Sequence, residues 1–347
     1  MKLMKTTEAV GQVLCHDITQ IIPGVKKDAV FRKGHIITKE DIPVLLSVGK
    51  DTIYIWESDE TMMHENEAAQ VLYSMCACGT ASKMHPSPVK EGKIEVIADC
   101  DGLLKVDSEK LKKVNSFGEM MIATRHGNTV VKKGDKLAGT RIIPLVIKKE
   151  KMQEAEKICD GTPILTILPF TVKKAAIITT GNEVYHGRIK DAFTPVIEQK
   201  IAEFGAEMMF HEIFDDNDKK ITDGCLRAIE AGADIVFCTG GMSVDPDDKT
   251  PLAIKNTGAR IVSYGSPVLP GAMFLLSYYD AGDRLVPICG LPGCAMYNKR
   301  TIFDIVLPRL MACDMILADE LAGLGEGGLC LNCDVCTFPN CGFGKGF

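Results

Sequence analysis

The sequence predicts an α/β fold: a mostly parallel sheet with helices on both faces, preceded by a β-rich N-terminal domain. Three observations carry this. From about residue 170 to 312, β-branched apolar runs such as AAIITT and ADIVF alternate with amphipathic stretches, the pattern of βαβ units. From the start to about residue 150, short apolar runs (AVFRKGHII, TIYIW, GKIEVIADCDGLLKV, GEMMIATRHGNTVVKKGDKL) are broken by Gly, Pro and charge, which reads mainly as strands. Finally, TTGNEV, CTGGMSVD and ICGLPGCAMY each place Gly just after an apolar run, so these turns should line the carboxyl edge of one sheet.

In the N-terminal region, residues 1–150, KEDIPVLLSVG predicts a helix with Thr38 as its cap and Gly49 at its end. A second helix is expected from Glu65 to Cys76. The polar stretch from Cys78 to Gly92, with two prolines, reads as a loop. KKEKMQEAEKICD, residues 148–160, reads as a charged helical stretch that runs into a connector, 151–170, leading to the α/β domain, 171–315. There, FTPVIEQKIAEFG is amphipathic and MMFHEIF extended; in KKITDGCLRAIEAG, Ile221, Cys225 and Ile229 recur every four residues, and ADIVF is a second buried strand. Crossovers between parallel strands should be right-handed. The final stretch, 323–347, has too little apolar area to fold alone, so something else must order it.

Composition bounds the function. With 347 residues, 46% apolar and 25% charged, the chain can build a full core. No run of eighteen apolar residues occurs and the N-terminus has no apolar signal segment, so the expectation is a cytoplasmic protein with no membrane partner. A net charge of -6 and a pI near 5.7 argue against nucleic acid. The fourteen cysteines then read as reduced thiols, some with metal or redox duties.

A Gly turn running into a helix is a natural anion cradle, because glycine permits close backbone approach and helix-start amides carry partial positive charge. Gly240, Gly241 and Ser243 fit that role after Thr239, as do Gly181 and Asn182 after Thr180. Any doubly wound domain also needs small residues where its strands turn. Asp245, Asp247 and Asp248 beside such a cradle could hold a magnesium ion bridging to a phosphate. Acids near a helix start also complement its dipole, and of the three Asp248 is the one expected to be functional.

The order TTGNEV, IFDDND, TGGMSVDPDD, LPGAMF and LPGCAMYNKRTIFDIVLPRL, over about residues 170 to 312, resembles the molybdopterin-binding domain shared by molybdopterin molybdenumtransferases and molybdopterin adenylyltransferases. The stretch FRKGHIITKEDIPVLLSVGKDTIYIW is weakly similar to the region preceding it in the molybdenumtransferases. The resemblance implies a three-layer α/β/α sandwich, molybdopterin or adenylylated molybdopterin as ligand, magnesium, release of AMP with insertion of molybdate, and a homo-oligomer. It places Glu183 and Asp248 at the acidic positions of the motif, expected in catalysis, and the leading reading has Asp248, with Asp245 or Glu183, hold the magnesium. Thr180, Gly181, Asn182, Thr239, Gly240, Gly241, Ser243, Asp245, Pro270, Gly271, Leu291, Pro292, Gly293 and Cys294 fall on ligand-binding turns.

The chain departs from that pattern. P-G-K-P is here Pro270-Gly271-Ala272-Met273, L-P-G-N-P is Leu291-Pro292-Gly293-Cys294-Ala295, and the acidic or serine-bearing start of the first helix is Phe193-Thr194-Pro195. A further β-barrel domain gives way to the cysteine tail. Cys294, at a helix start whose dipole favours thiolate, reads as a ligand contact or as packing. In the tail, Cys330, Cys333, Cys336 and Cys341 are spaced C-x2-C-x2-C-x4-C, which suits tetrahedral zinc or, with one residue more than the ferredoxin run, an iron–sulfur cluster. Metal would supply folding energy that the tail lacks; a metal-free, thiol-rich tail is the other reading. Two functions follow: an enzyme of molybdenum cofactor assembly, or a non-catalytic carrier delivering the cofactor to a molybdoenzyme. A third, nucleotide or pyrophosphate hydrolysis, is implied by other relatives of the domain.

Overall fold

The computed structural model describes residues 2–22, 26–55, 59–79, 83–243, 245–246 and 248–346. Trp56 and Asp247 lie outside them. Contacts divide the chain into two compact units: residues 1–99, 106–125 and 133–166 form the first, and residues 100–105, 126–132 and 167–347 the second.

The first unit is strand-rich. Ile94–Ala98 is central to an antiparallel sheet with Met84–Pro86 on one side and Lys136–Ile142 on the other, and Met120–Thr124 pairs beyond that. Helix Glu65–Cys76 packs Ala68, Ala69, Leu72 and Met75 inward, and its start is capped by His64, whose ring nitrogen accepts from the Asn66 amide. Three local expectations are corrected. The helix after Thr38 begins at Asp41: the Asp41 carboxylate reaches back to take the Thr38 amide at 2.8 Å and hydroxyl at 2.9 Å, so Thr38 donates to a cap and does not serve as one. The stretch 78–92 contains the short strand Met84–Pro86, whose proline is tolerated because this is the sheet edge. Ser108–Asn115 is an unexpected helix, capped by Asp107 on the Lys110 amide.

The second unit is built on six strands: β1 (Lys174–Thr180), β2 (Glu207–Phe214), β3 (Ile235–Thr239), β4 (Arg260–Tyr264), β5 (Leu275–Asp280) and β6 (Leu285–Leu291). Their order is β2-β1-β3-β6-β5-β4. The first four strands run parallel; β5 and β4 close one side antiparallel. Because both faces are covered, these strands read as continuous apolar runs with no polar alternation. Side chains still alternate. Ala175, Ile177, Ile235, Phe237, Cys289 and Leu291 join one core with Ile197 and Ile201 of α2 (Phe193–Ala202) and Phe303, Val306 and Leu310 of α6 (Ile302–Met311). Ala176, Ile178, Val236, Cys238 and Ile288 join the opposite core with Ile221, Cys225 and Ile229 of α3 (Asp218–Glu230) and with Ala253 and Ile254 of α4 (Thr250–Asn256). The result is the three-layer α/β/α sandwich. The remaining helices are short: α1 (Asn182–Tyr185), α5 (Cys294–Tyr297) and α7 (Ala318–Gly323).

The tail is ordered by docking on this unit. Leu329 bridges to Leu269, with the Leu269 amide on the Gly328 carbonyl and the Cys330 amide on the Leu269 carbonyl, both at 2.8 Å. Phe343 is buried in the core beside α6. Gly346 is required by packing: a Cβ there would stand 2.2 Å from the Gly323 carbonyl oxygen.

Candidate functional site

Register brings the turns together. Parallel pairing sets Thr179 beside Thr239 and Thr239 beside Leu291, so the turns after β1, β3 and β6 share the carboxyl edge. Antiparallel pairing of Leu275 with Gly290 brings the turn before β5, with Pro270 and Gly271, to the same edge.

The turn after β3 is tied to that after β1. The Thr180 hydroxyl donates to the Thr239 carbonyl at 3.2 Å and lies 3.0 Å from the Thr250 hydroxyl, which donates to the Gly240 carbonyl at 2.9 Å. Gly240 has φ +81°, and a Cβ would fall 2.0 Å from the Thr180 carbonyl oxygen. Strand crowding by itself therefore demands this glycine. Met242 is buried over Gly290, where a Cβ would meet its sulfur at 2.6 Å. Ser243 and Asp245 are exposed and Asp248 is half-buried, its amide donating to the Asp245 carbonyl at 3.0 Å.

Of the other expected residues, Asn182 donates its amide to Asp216 at 3.1 Å, and Glu183 is exposed on α1 with a carboxylate oxygen 3.2 Å from where a Cβ on Gly181 would stand. Gly271 has φ +132°, and the Pro270 carbonyl accepts from the Ile302 amide at 3.0 Å, pinning this turn to the start of α6. Pro292 and Gly293 turn into α5 through carbonyls that accept from Ala295 and Met296. Leu291 is fully buried in the core, so it supports the turn by packing and does not present its side chain to a ligand. At Cys294 burial pushes the thiol up and its own amide only partly offsets this, which goes against the thiolate reading and with packing.

Three residues not singled out by sequence reasoning also belong to this edge. Asp191 accepts from the Phe193 amide at 2.8 Å, the Thr194 amide at 3.1 Å, the Thr194 hydroxyl at 2.6 Å and the Thr179 hydroxyl at 2.8 Å. With both hydroxyl protons spent on Asp191, His211 Nε2, 3.1 and 3.2 Å from the two hydroxyl oxygens, must be the donor to them. Burial raises the Asp191 carboxyl, but the bonds from Thr194, Thr179 and Phe193 together bring it below its ordinary value. Asp215 gives one oxygen to Lys220 at 2.8 Å, while its Oδ1 is buried without a hydrogen-bond partner, an acceptor suited to a ligand donor. The D-x-x-T spacing before an amphipathic run was the sequence signal for Asp191; Asp215 lies in the IFDDND motif of the resemblance, which singled out no one of its acids.

Among the described residues no three His, Cys, Asp or Glu side chains converge to hold a metal ion. Asp245 with Asp248 make no such set among the described residues, Asp247 lying outside them, and the four tail cysteines do not meet at one point. No described helix is long and apolar enough to cross a membrane.

Residues 176–312 match a family described as a probable molybdopterin binding domain, and residues 3–57 match a domain family of unknown function. Among curated proteins, one of Bacillus velezensis named as competence-damage inducible is 32% identical over 88 residues, 25% of this chain and 21% of that protein. One of Clostridium kluyveri with the same name is 26% identical over 156 residues, 39% of this chain and 37% of that protein. This chain thus spans well under half the length of these relatives. Among solved structures, the tungsten cofactor synthesizing protein MoaB of Pyrococcus furiosus is 20% identical with a TM-score of 0.33, covering 40% of this chain and 89% of that one. MoaB of a Thermus species is 20% identical with a TM-score of 0.32, covering 40% and 91%. Residues 176–312 of this chain are a domain of the probable molybdopterin binding family.

Proposed function

We propose that the chain binds molybdopterin or its adenylylate across the four turns and takes part in molybdenum cofactor assembly, assisting AMP release and molybdate insertion. The observation that supports this most is the meeting of four Gly-bearing turns at one sheet edge, inside the stretch that matches the molybdopterin-binding family. Asp215 Oδ1 fits the ligand: a buried acceptor without a partner suits the amino-pyrimidine edge of a pterin. The amides of the Gly240–Gly241 turn would face its phosphate.

In this reading water adds to a phosphorus of the adenylylate's phosphoanhydride, the bridging P–O bond breaks, and AMP leaves. Asp248 accepts the proton of the attacking water and Glu183 orients the substrate from α1. Asp245 and Asp248 are the residues that would hold magnesium, which would supply charge neutralisation at the phosphates; among the described residues no third such side chain joins them, and no step is routed through the ion. Molybdate is the second substrate, a molybdoenzyme the recipient, a homo-oligomer the working form, and the cytoplasm the compartment.

A carrier function is the second reading, favoured by Ala272 and Met273, which leave the fourth turn without a cation. The deciding experiment is anaerobic AMP release from adenylylated molybdopterin, with and without molybdate and magnesium, for the natural protein and Asp248→Ala. Molybdate-dependent release lost in Asp248→Ala supports the enzyme. Pterin binding with no AMP assigns the carrier, and absence of pterin binding sinks both.

A further inference from the structure

Cys330, Cys333, Cys336 and Cys341 all line one cavity of about 390 Å³ between the docked tail and the segment 297–300. The frame around it is fixed without any metal. The Leu269–Leu329 bridge holds one side, Phe343 in the core holds the other, and the Arg300 guanidinium lies 5.0 Å from the Phe338 ring centroid. Cys330 and Cys341 are half-buried against the core at the inner wall, while Cys333 and Cys336 stand exposed at the rim. Lys299 and Arg300 line the same space.

A single zinc ion would draw its thiolates to about 2.3 Å from one point. All four cysteines line one chamber, and among the described residues no three of them already stand close enough to hold a single ion. Their order, two close C-x2-C steps and a fourth cysteine after four residues, matches a cluster-binding run more nearly than two separated zinc pairs. Thiolates around a cluster core leave net negative charge, which Lys299 and Arg300 on the wall would offset in part, Arg300 while also pairing with Asp304 at 2.9 Å.

We propose that this cavity holds an iron–sulfur cluster ligated by Cys330, Cys333, Cys336 and Cys341, with Lys299 and Arg300 offsetting its charge. The site stands apart from whatever the Gly turns bind. It nevertheless lies next to them, because Tyr297 and Asn298 line the cavity and end the short helix that begins at Cys294.

The test is anaerobic reconstitution of the full chain with ferrous iron and sulfide, followed by iron, acid-labile sulfide and zinc analysis and visible absorption. Iron and sulfide in equal number, with sulfide-to-iron charge-transfer absorption, are expected. The Cys333→Ala/Cys336→Ala double variant, which alters only exposed side chains, should lose at least nine-tenths of both, whereas Cys313→Ser, outside the cavity, should retain them. Arg300→Gln should move the midpoint potential negative, as loss of a neighbouring cation disfavours the reduced cluster. Zinc binding without cluster assembly, iron without sulfide, or a full cluster in the double variant would each overturn the proposal.

Discussion

Replacing Asp191 by Ala tests how the site edge is held. The carboxylate is 12% exposed and accepts four hydrogen bonds, two from the first amides of α2 and two from the Thr179 and Thr194 hydroxyls. Hydrogen bonds to a charged group contribute ~1.5–3 kcal/mol each, but these four act as a unit and are not additive. Losing the cap costs about 1 kcal/mol. Thr179 and Thr194 keep His211 as a partner, which limits the rest, so we expect a loss of about 2–4 kcal/mol. The pH dependence carries the sign. Because the folded carboxyl lies below its ordinary value of 3.8, its stabilisation is complete above that value and is lost as pH falls through the lower, folded value. Urea unfolding of the natural chain, Asp191→Ala and Asp191→Asn, with hydrogen exchange read at the amides of 193 and 194, follows both. The natural protein should lead Asp191→Ala by a constant margin from neutrality to about pH 5, and the margin should shrink in stronger acid. Asp191→Asn, retaining an oxygen for the two amides, should fall between. A loss under about 0.5 kcal/mol at neutral pH, within the range of ordinary surface changes, or a margin unchanged in strong acid, refutes the reasoning.

Gly240→Ala forces a Cβ into the Thr180 carbonyl and a left-handed residue to carry a side chain, which costs roughly 1–2 kcal/mol for the backbone and more for the clash. Thermal melting should fall, and binding of molybdopterin measured by fluorescence should weaken at least tenfold; unchanged binding would separate this turn from the ligand. Phe343→Ala removes the tail's buried anchor, worth up to about 3–5 kcal/mol for a core phenylalanine. Limited proteolysis should then cut within 324–342 while α6 stays protected, and equal resistance in both proteins would show that other contacts hold the tail.

The α/β unit was legible because both of its faces are buried. AAII and IVFC are unbroken apolar runs, and the four-residue spacing of Ile221, Cys225 and Ile229 marks the covering helix, so the alternation itself spells the topology. Ser108–Asn115 escaped because SEKLKKVN buries only Val114 and shows no apolar stripe; its evident sign was the Asp107 cap. Met84–Pro86 escaped because proline argues against a strand unless the strand is known to be an edge, and that is a fact of the sheet, not of the segment. At the site, the Gly turns were readable since each closes an apolar run. The Asp191 cluster was not, because Thr179 and His211 reach it from two strands whose register no local pattern states.

On the proposed function, the departure at Pro270-Gly271-Ala272-Met273 bears differently on binding and on turnover. This turn keeps its shape through its own backbone: the Ser266 amide donates to the Ala272 carbonyl at 2.9 Å, the Ser266 hydroxyl to the Gly271 carbonyl at 3.1 Å, and Pro270 holds Ile302. None of these contacts uses the side chains at 272 and 273, so the loss of the family's lysine leaves the turn's frame intact and removes only charge. Two lysines near the edge are engaged: Lys220 pairs with Asp215, and Lys249 donates to the Pro246 carbonyl. A phosphoanhydride held here would meet backbone dipoles before it met a free ammonium, and dipoles suffice to bind an anion more readily than to stabilise the charge that builds as its bond breaks. If Lys249 leaves Pro246 when ligand binds, the missing lysine is replaced from the next turn, and Lys249→Gln should then slow AMP release more than it weakens binding.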